Sequence, residues 1–192
     1  MDIRYKLKTA PTLYPVSLTE LKANLHILNT DQDTLLQDLI YAAVADAEAI
    51  MGRQIMRATW NAYLDGYPED DNLEITLGPV DAITSVKYLA DGASVWTTVS
   101  SSYYQLDNSE LTARIRFLNS FSPDPDKLST VDIEFTNGWA AAANVPKTIK
   151  QAVILLASEA YLHPENQMLN FGASLRTTAA ERMLRNYKVK RY

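Results

Sequence analysis

Residues 135–161 read FTNGWAAAANVPKTIKQAVILLASEAY, and the period of the chain changes inside them. Phe135 and Thr136 close an alternating run, Val131 to Thr136, with Val131, Ile133 and Phe135 on one face and Asp132, Glu134 and Thr136 on the other. Asn137-Gly138 breaks that run. Pro146 then fits the first turn of a helix, where a missing N–H costs nothing. Beyond it Ile149, Val153, Leu156, Ala157 and Ala160 fall on one helical face. Ile154 and Leu155 carry the apolar surface further round than one neighbour needs, and His163-Pro164 ends the helix because a residue before proline avoids helical geometry. The chain leaves a β-rich stretch and enters an apolar helix within ten residues or so.

Upstream the signals are helical. Ser17 and Glu20 have capping-box spacing, and Val16 can staple onto Leu21. Leu18, Leu21, Leu25 and Leu28 form one stripe, and this first helix is expected to end near Asn29. Thr30 and Asp33 offer a second capping start. The helix behind them runs to Met51, with Gly52 past its end. Its apolar positions make a stripe wider than one neighbour covers. Leu36, Ile40 and Val44, with Ile154 and Leu155 of the later helix, are therefore candidate contacts between subunits.

From about Arg57 to Trp139 the period is two. LEITL (73–77) and RIRF (114–117) alternate, and Asp91-Gly92 inside VKYLADGASVW (86–96) signals a hairpin. If 114–117 neighbours 131–136, their outer faces would pair Arg114 and Arg116 with carboxylates. Five to seven short antiparallel strands are expected. After a loop at 167–174, a last helix at about 177–187 leads to a basic tail. The expected fold class is α+β: a four-helix bundle core, 1–56 with 140–192, carrying an antiparallel β-unit at 57–139 inserted between its second and third helices.

The 192 residues are 47% hydrophobic and 21% charged, ordinary values for a globular chain. There is no cysteine, which removes disulfide and thiolate chemistry. MDIRYKLKTAPTLYP lacks an apolar h-region, so no signal peptide is expected, and no stretch has a membrane span's apolar length. A soluble, intracellular chain is expected. The net charge of −5 hides an asymmetry: Asp31 to Glu134 holds 18 of the 23 acids against 6 basic residues. Past Glu181 there is no acid, only Arg182, Arg185, Lys188, Lys190 and Arg191. A solvated basic tail is the plain reading; docking on an acidic partner or phosphate is the sharper one.

Catalytic constellations are missing. His26 and His163 stand alone without zinc-ligand spacing, and the six glycines form neither GxGxxG nor a P-loop. Glu69-Asp70-Asp71 and Asp124/Asp126 sit in proline-containing turns, where solvated turn carboxylates explain them better than acid–base or metal chemistry. No enzyme, metal or cofactor is expected. YKVKRY (187–192) interleaves basic and aromatic residues, which could serve nucleic acid or an acidic protein groove alike.

Set together, VSLTELKANLHIL, DTLLQDLIYAAVADAEAIMGR, SVKYLADG, ARIRFL and the re-entry EFTNGW…VPKTIKQAVILLASEAYL resemble the head–tail connector (adaptor) family of tailed bacteriophages and prophages, over roughly residues 16–165. The resemblance implies a structural protein of the virion neck, assembled in the host cytoplasm. It would form a homo-oligomeric ring of twelve copies under the portal protein, joined to tail, tail-terminator or neck proteins. DNA would pass through the channel without specific recognition, and no membrane is involved. The five basic residues from Arg182 to Arg191 become candidate contacts to the portal or neck. A ring needs two different complementary surfaces per subunit, and an acidic bore would repel passing phosphates. A non-virion protein–protein adaptor and a nucleic-acid-binding accessory protein stay open as alternatives.

Overall fold

The structure, a computed structural model, describes residues 3–164 and 177–189. It divides into two compact units, Met1–Pro11 with Arg57–Gly138 and Thr12–Met56 with Trp139–Tyr192.

The first unit holds the strands: β1 (Arg4–Thr9), β2 (Ala58–Leu64), β3 (Asn72–Ile75), β4 (Val80–Leu89), β5 (Trp96–Thr98), β6 (Tyr104–Asp107), β7 (Ala113–Phe117) and β8 (Val131–Asn137). They form two antiparallel sheets, ordered β1-β2-β8-β4-β5 and β3-β7-β6. The alternation read at 131–136 is realised, since Val131, Ile133 and Phe135 are wholly buried in the central strand β8. Leu73, Ile75, Ile115 and Phe117 of the smaller sheet join them in one core. The Asp91-Gly92 hairpin also forms, between β4 and β5, with Gly92 at φ 68 where a side chain would be strained. Strand β7 does not neighbour β8. It lies between β3 and β6, so Arg114 faces Glu74 on one side and Asp107 on the other. The arginine–carboxylate pairing is cross-strand, but with different strands from those expected.

The second unit holds α1 (Leu18–Leu25), α2 (Asp33–Met51), α3 (Lys147–Leu162) and α4 (Thr177–Leu184). The capping box is present: Glu20 N–H donates to Ser17 Oγ at 3.2 Å, and Ser17 N–H to Glu20 Oε2 at 2.7 Å. Lys150 of α3 donates to the same carboxylate at 2.7 Å. Further along, Asn24 donates to Ser158, and Tyr161 donates to Gln32 at the start of α2. The other end of α2 leads to Ile55, whose carbonyl accepts from Trp139 N–H just ahead of α3, so α2 and α3 run antiparallel. Leu21, Leu36, Ile40, Ala47, Ile149 and Val153 are wholly buried between these helices.

Four expectations are corrected. Among the described residues there is no four-helix bundle core. Helix α1 has eight residues, about 12 Å of rise, against 19 residues in α2, so it is too short to line a bundle, and α4 is described over Thr177–Leu184. What exists is an antiparallel pair, α2 and α3, flanked by short pieces, while eight strands in two sheets dominate the arrangement. Nor do all strands lie between the second and third helices, because β1 precedes α1 and pairs with β2. RYKLKT carries the alternation that marks a half-exposed edge strand, a signal passed over among its charges. Finally, α1 stops at Leu25 because His26 adopts a left-handed φ of 57° as its cap, which leaves Leu28 97% exposed. The start of α2 has no side-chain cap; Asp33 is instead paired with Lys22 at 2.6 Å. Among the described residues, no helix is long and apolar enough to cross a membrane.

Candidate functional site

The C-terminal basic residues acquire a setting in the second unit. Behind α4 the chain makes a short 3-10 turn, Arg185–Tyr187, which crosses the end of α2. Two contacts fix it there. Buried Arg53 donates from Nε to the Tyr187 carbonyl at 2.7 Å, and Val189 N–H donates to the Met51 carbonyl at 2.9 Å. Gly52, at φ 66, lets the chain turn out of α2, and a Cβ there would meet Val189 at 3.4 Å. Between this turn and α2 lies a cleft of about 500 Å³, lined by Ala49, Ile50, Glu181, Arg182, Arg185 and Lys188.

Arg182, Arg185 and Lys188 are thus brought together, all exposed, and none of the three side chains has a hydrogen bond or ion pair with a described residue. Lys190 and Arg191 lie outside the described residues. The cleft was only half legible: the charges show in the sequence, but nothing there says that Arg53 would bind the turn against α2. Gly52 was a partial signal, as a helix terminator that also permits a close crossing.

The candidate subunit contacts are divided by burial. Leu36 and Ile40 are wholly buried and Val44 is 7% exposed, all within the core of their own unit. Their apolar surface is used up inside one chain, so they present nothing to a neighbour. Ile154 is half-buried and rests on that core, while half-buried Leu155 is outside the cluster. Leu35, Tyr41 and Leu162, at 50%, 40% and 60% exposure, are the open apolar side chains on α2 and α3. Periodicity identifies a wide stripe but not which edge faces outward.

Other singled-out groups have structural settings. His26 and His163 are helix caps. Asp124 is 3% exposed, accepts from Asp126 N–H and pairs with Lys127, whose ammonium holds its carboxyl below the usual range. No group of three metal-ligating side chains occurs among the described residues. Glu69, Asp70 and Asp71 stay exposed in a short turn before β3, where Asp70 and Asp71 both have positive φ, 64° and 57°. One titrating group went unnoticed in the sequence: Glu48 on α2, which accepts from Gln54 Nε2 at 2.7 Å and Ile55 N–H at 2.8 Å. Burial pushes its carboxyl up to about 7, against the lowering effect of the Ile55 bond.

No protein-family model matches this sequence, and no curated protein matches it either. Solved structures do match. A chain from the neck of an empty GTA particle computed with C6 symmetry superposes with TM-score 0.79 at 22% identity, covering 98% of this chain and 97% of that one. A chain from the virion of a native gene transfer agent (GTA) particle gives 0.78 at 21%, covering 98% and 96%. A third, from the neck of a native GTA particle computed with C12 symmetry, gives 0.70 at 22%, covering 97% of each. At such identities the likeness establishes a common fold along nearly the whole length.

Proposed function

We propose that the chain is a structural subunit of the neck of a tailed phage or phage-like particle. It is a head–tail connector that closes with copies of itself into a twelve-membered ring beneath the portal and extends the channel for DNA. One observation carries this reading: the shared fold spans 97–98% of this chain and 96–97% of chains from GTA necks and virions. The C6 and C12 symmetries of those necks favour a ring whose copy number is six or a multiple of it. The apolar surplus supports the reading less than its sequence suggests, since Leu36, Ile40 and Val44 are spent inside the protomer. Subunit contact then falls to Leu155, Ile154 and the open side chains Leu35, Tyr41 and Leu162.

In this reading the helical unit is the connector core and the sheet unit an elaboration upon it. The work is mechanical, joining head to tail in the virion after assembly in the host cytoplasm, and it needs no catalyst or cofactor. Arg182, Arg185 and Lys188, with Lys190 and Arg191, meet an acidic protein surface within the neck assembly. Electron microscopy of the purified chain, and of particles labelled on it, tests the proposal. Twelvefold rings, or label confined to the neck, are expected; label on the capsid or tail tip, or a chain that stays monomeric and absent from particles, would overturn it.

A further inference from the structure

The cleft between α2 and the 3-10 turn gathers three cations whose side chains form no ion pair with a described residue, with Glu181 the one acid among the described residues on its wall. Like charges held together repel, a cost that an oppositely charged partner removes. The same sequence carries the complementary feature. Glu69, Asp70 and Asp71 are three consecutive exposed carboxylates, and none has an ion-pair partner among the described residues. Their turn is held in shape before any partner arrives. Tyr67 Oη donates to Asp71 Oδ1 at 2.8 Å, and Asn72 Nδ2 donates to the Asp70 carbonyl at 2.5 Å. Those bonds keep two successive non-glycine residues at positive φ, a conformation that side chains seldom adopt. A preformed turn loses little entropy on docking. A concave patch of three cations and a preformed turn of three anions are opposite in sign and equal in number.

We propose that in the ring the acidic turn Glu69–Asp71 of one copy docks in the basic cleft Arg182–Arg185–Lys188 of the next. This rests on the neck reading and deepens it, because it supplies the two unlike, mutually complementary surfaces that a closed ring of identical subunits requires. It assigns the cleft to a second copy, not to the portal or to DNA. The apolar floor, Ala49 and Ile50, suits a protein segment better than a bare phosphate backbone. Charge pairs of this kind set which surfaces meet and how fast, and they weaken as salt is raised.

The test exploits a chain without cysteine. Full-length E69C and R185C proteins, each with one thiol, are mixed under mild oxidation. Mixed disulfide dimers well in excess of either homodimer are expected, and fewer as salt is raised. Reversal variants provide the second arm. R182E/R185E/K188E and E69K/D70K/D71K should each lower ring yield by about tenfold or more, the effect of losing several close charge pairs. Combined in one chain, the two sets should restore it, with circular dichroism confirming the fold of each. That rescue arises only if both partners are copies of this chain; reversal without rescue assigns the cleft to the portal or to DNA and overturns the proposal. Wild-type rings without mixed disulfides overturn this contact and leave the neck reading standing. A wild-type chain that makes neither rings nor cross-links in solution or on particles overturns both.

Discussion

Arg53 Nε donates to the backbone carbonyl of Tyr187 at 2.7 Å, from a side chain only 7% exposed. With the bond from Val189 N–H to the Met51 carbonyl, this contact joins the exit of α2 to the turn that carries Arg185 and leads into Lys188. Its loss should be felt in two ways. R53M keeps the stem but leaves the Tyr187 carbonyl without its charged donor, at a cost of about 2 kcal/mol in urea unfolding. The last residues of the chain should also become the first site of proteolytic nicking under native conditions. R53K should recover part of the stability, since a lysine can donate there but without the guanidinium's fixed geometry.

Two carboxylates on the helical unit should give its stability a maximum in mildly acid solution. Glu48 has its pKa raised from 4.5 to about 7, mainly by burial. The folded chain therefore holds that proton more tightly than the unfolded one, so the group's contribution is complete below pH 4.5 and is lost as pH rises through about 7. Glu20 behaves oppositely. Its hydrogen bond from Lys150, followed by the Ser17 N–H, lowers its pKa, so its contribution is complete above 4.5 and is lost as pH falls through the lowered value. E48Q keeps an oxygen for Gln54 and Ile55 while removing the buried charge. It should raise stability at pH 8 by on the order of 2 kcal/mol and flatten the profile above pH 5 or so, without changing its acid limb. Thermal unfolding across pH 4–9 or thereabouts measures both limbs; an unchanged alkaline limb in E48Q would contradict the assignment.

How far the sequence could be read depended on whether a residue's role was local. The Ser17–Glu20 box, Gly52, the Asp91-Gly92 hairpin and the alternation of β8 each depend on neighbours in the chain, and each is found where expected. Partners distant in sequence were not legible. Strand β7 lies between β3 and β6 because Ile115 and Phe117 complete a core that both sheets share, and its alternation fits either set of neighbours equally. The bundle failed for a related reason. Summed helical content does not say that α1 ends at His26, and length decides whether four helices can line one core. At the docking surface the charges were visible, while the cleft that gathers them depends on the Arg53–Tyr187 bond across more than a hundred residues.

Burial separates two leucines that the apolar stripe treats alike. Leu36 is wholly enclosed, whereas Leu155 is half-buried and outside the core cluster. L36A should cost about 2–5 kcal/mol, the range for a buried leucine whose cavity cannot fully collapse. L155S should cost well under about 1 kcal/mol in the isolated chain, as surface changes do, yet lower ring assembly. Denaturant unfolding and ring counts on the same two proteins check this. A large loss of stability in L155S, with assembly of the surviving protein intact, would return Leu155 to the core and remove it from the interface.

The strand overlooked in the sequence supplies the last prediction. Tyr5 of β1 packs edge-on against Phe135, with ring centroids 6.2 Å apart, and its hydroxyl accepts from Thr76 N–H at 3.3 Å. Through Tyr5 the edge strand is fastened to the centre of its own sheet unit. Y5F should cost no more than about 1 kcal/mol, because the acceptor is lost but the ring remains. Y5A loses the ring as well and should cost about 3 kcal/mol. Once β1 is loosened, β2 becomes an exposed edge whose free N–H and C=O groups can pair with another chain. Y5A should therefore aggregate through β-sheet on storage or mild heating, whereas Y5F should not. Light scattering with infrared spectra distinguishes that outcome from simple unfolding, and equal behaviour of the two variants would show that Tyr5 does not hold the strand.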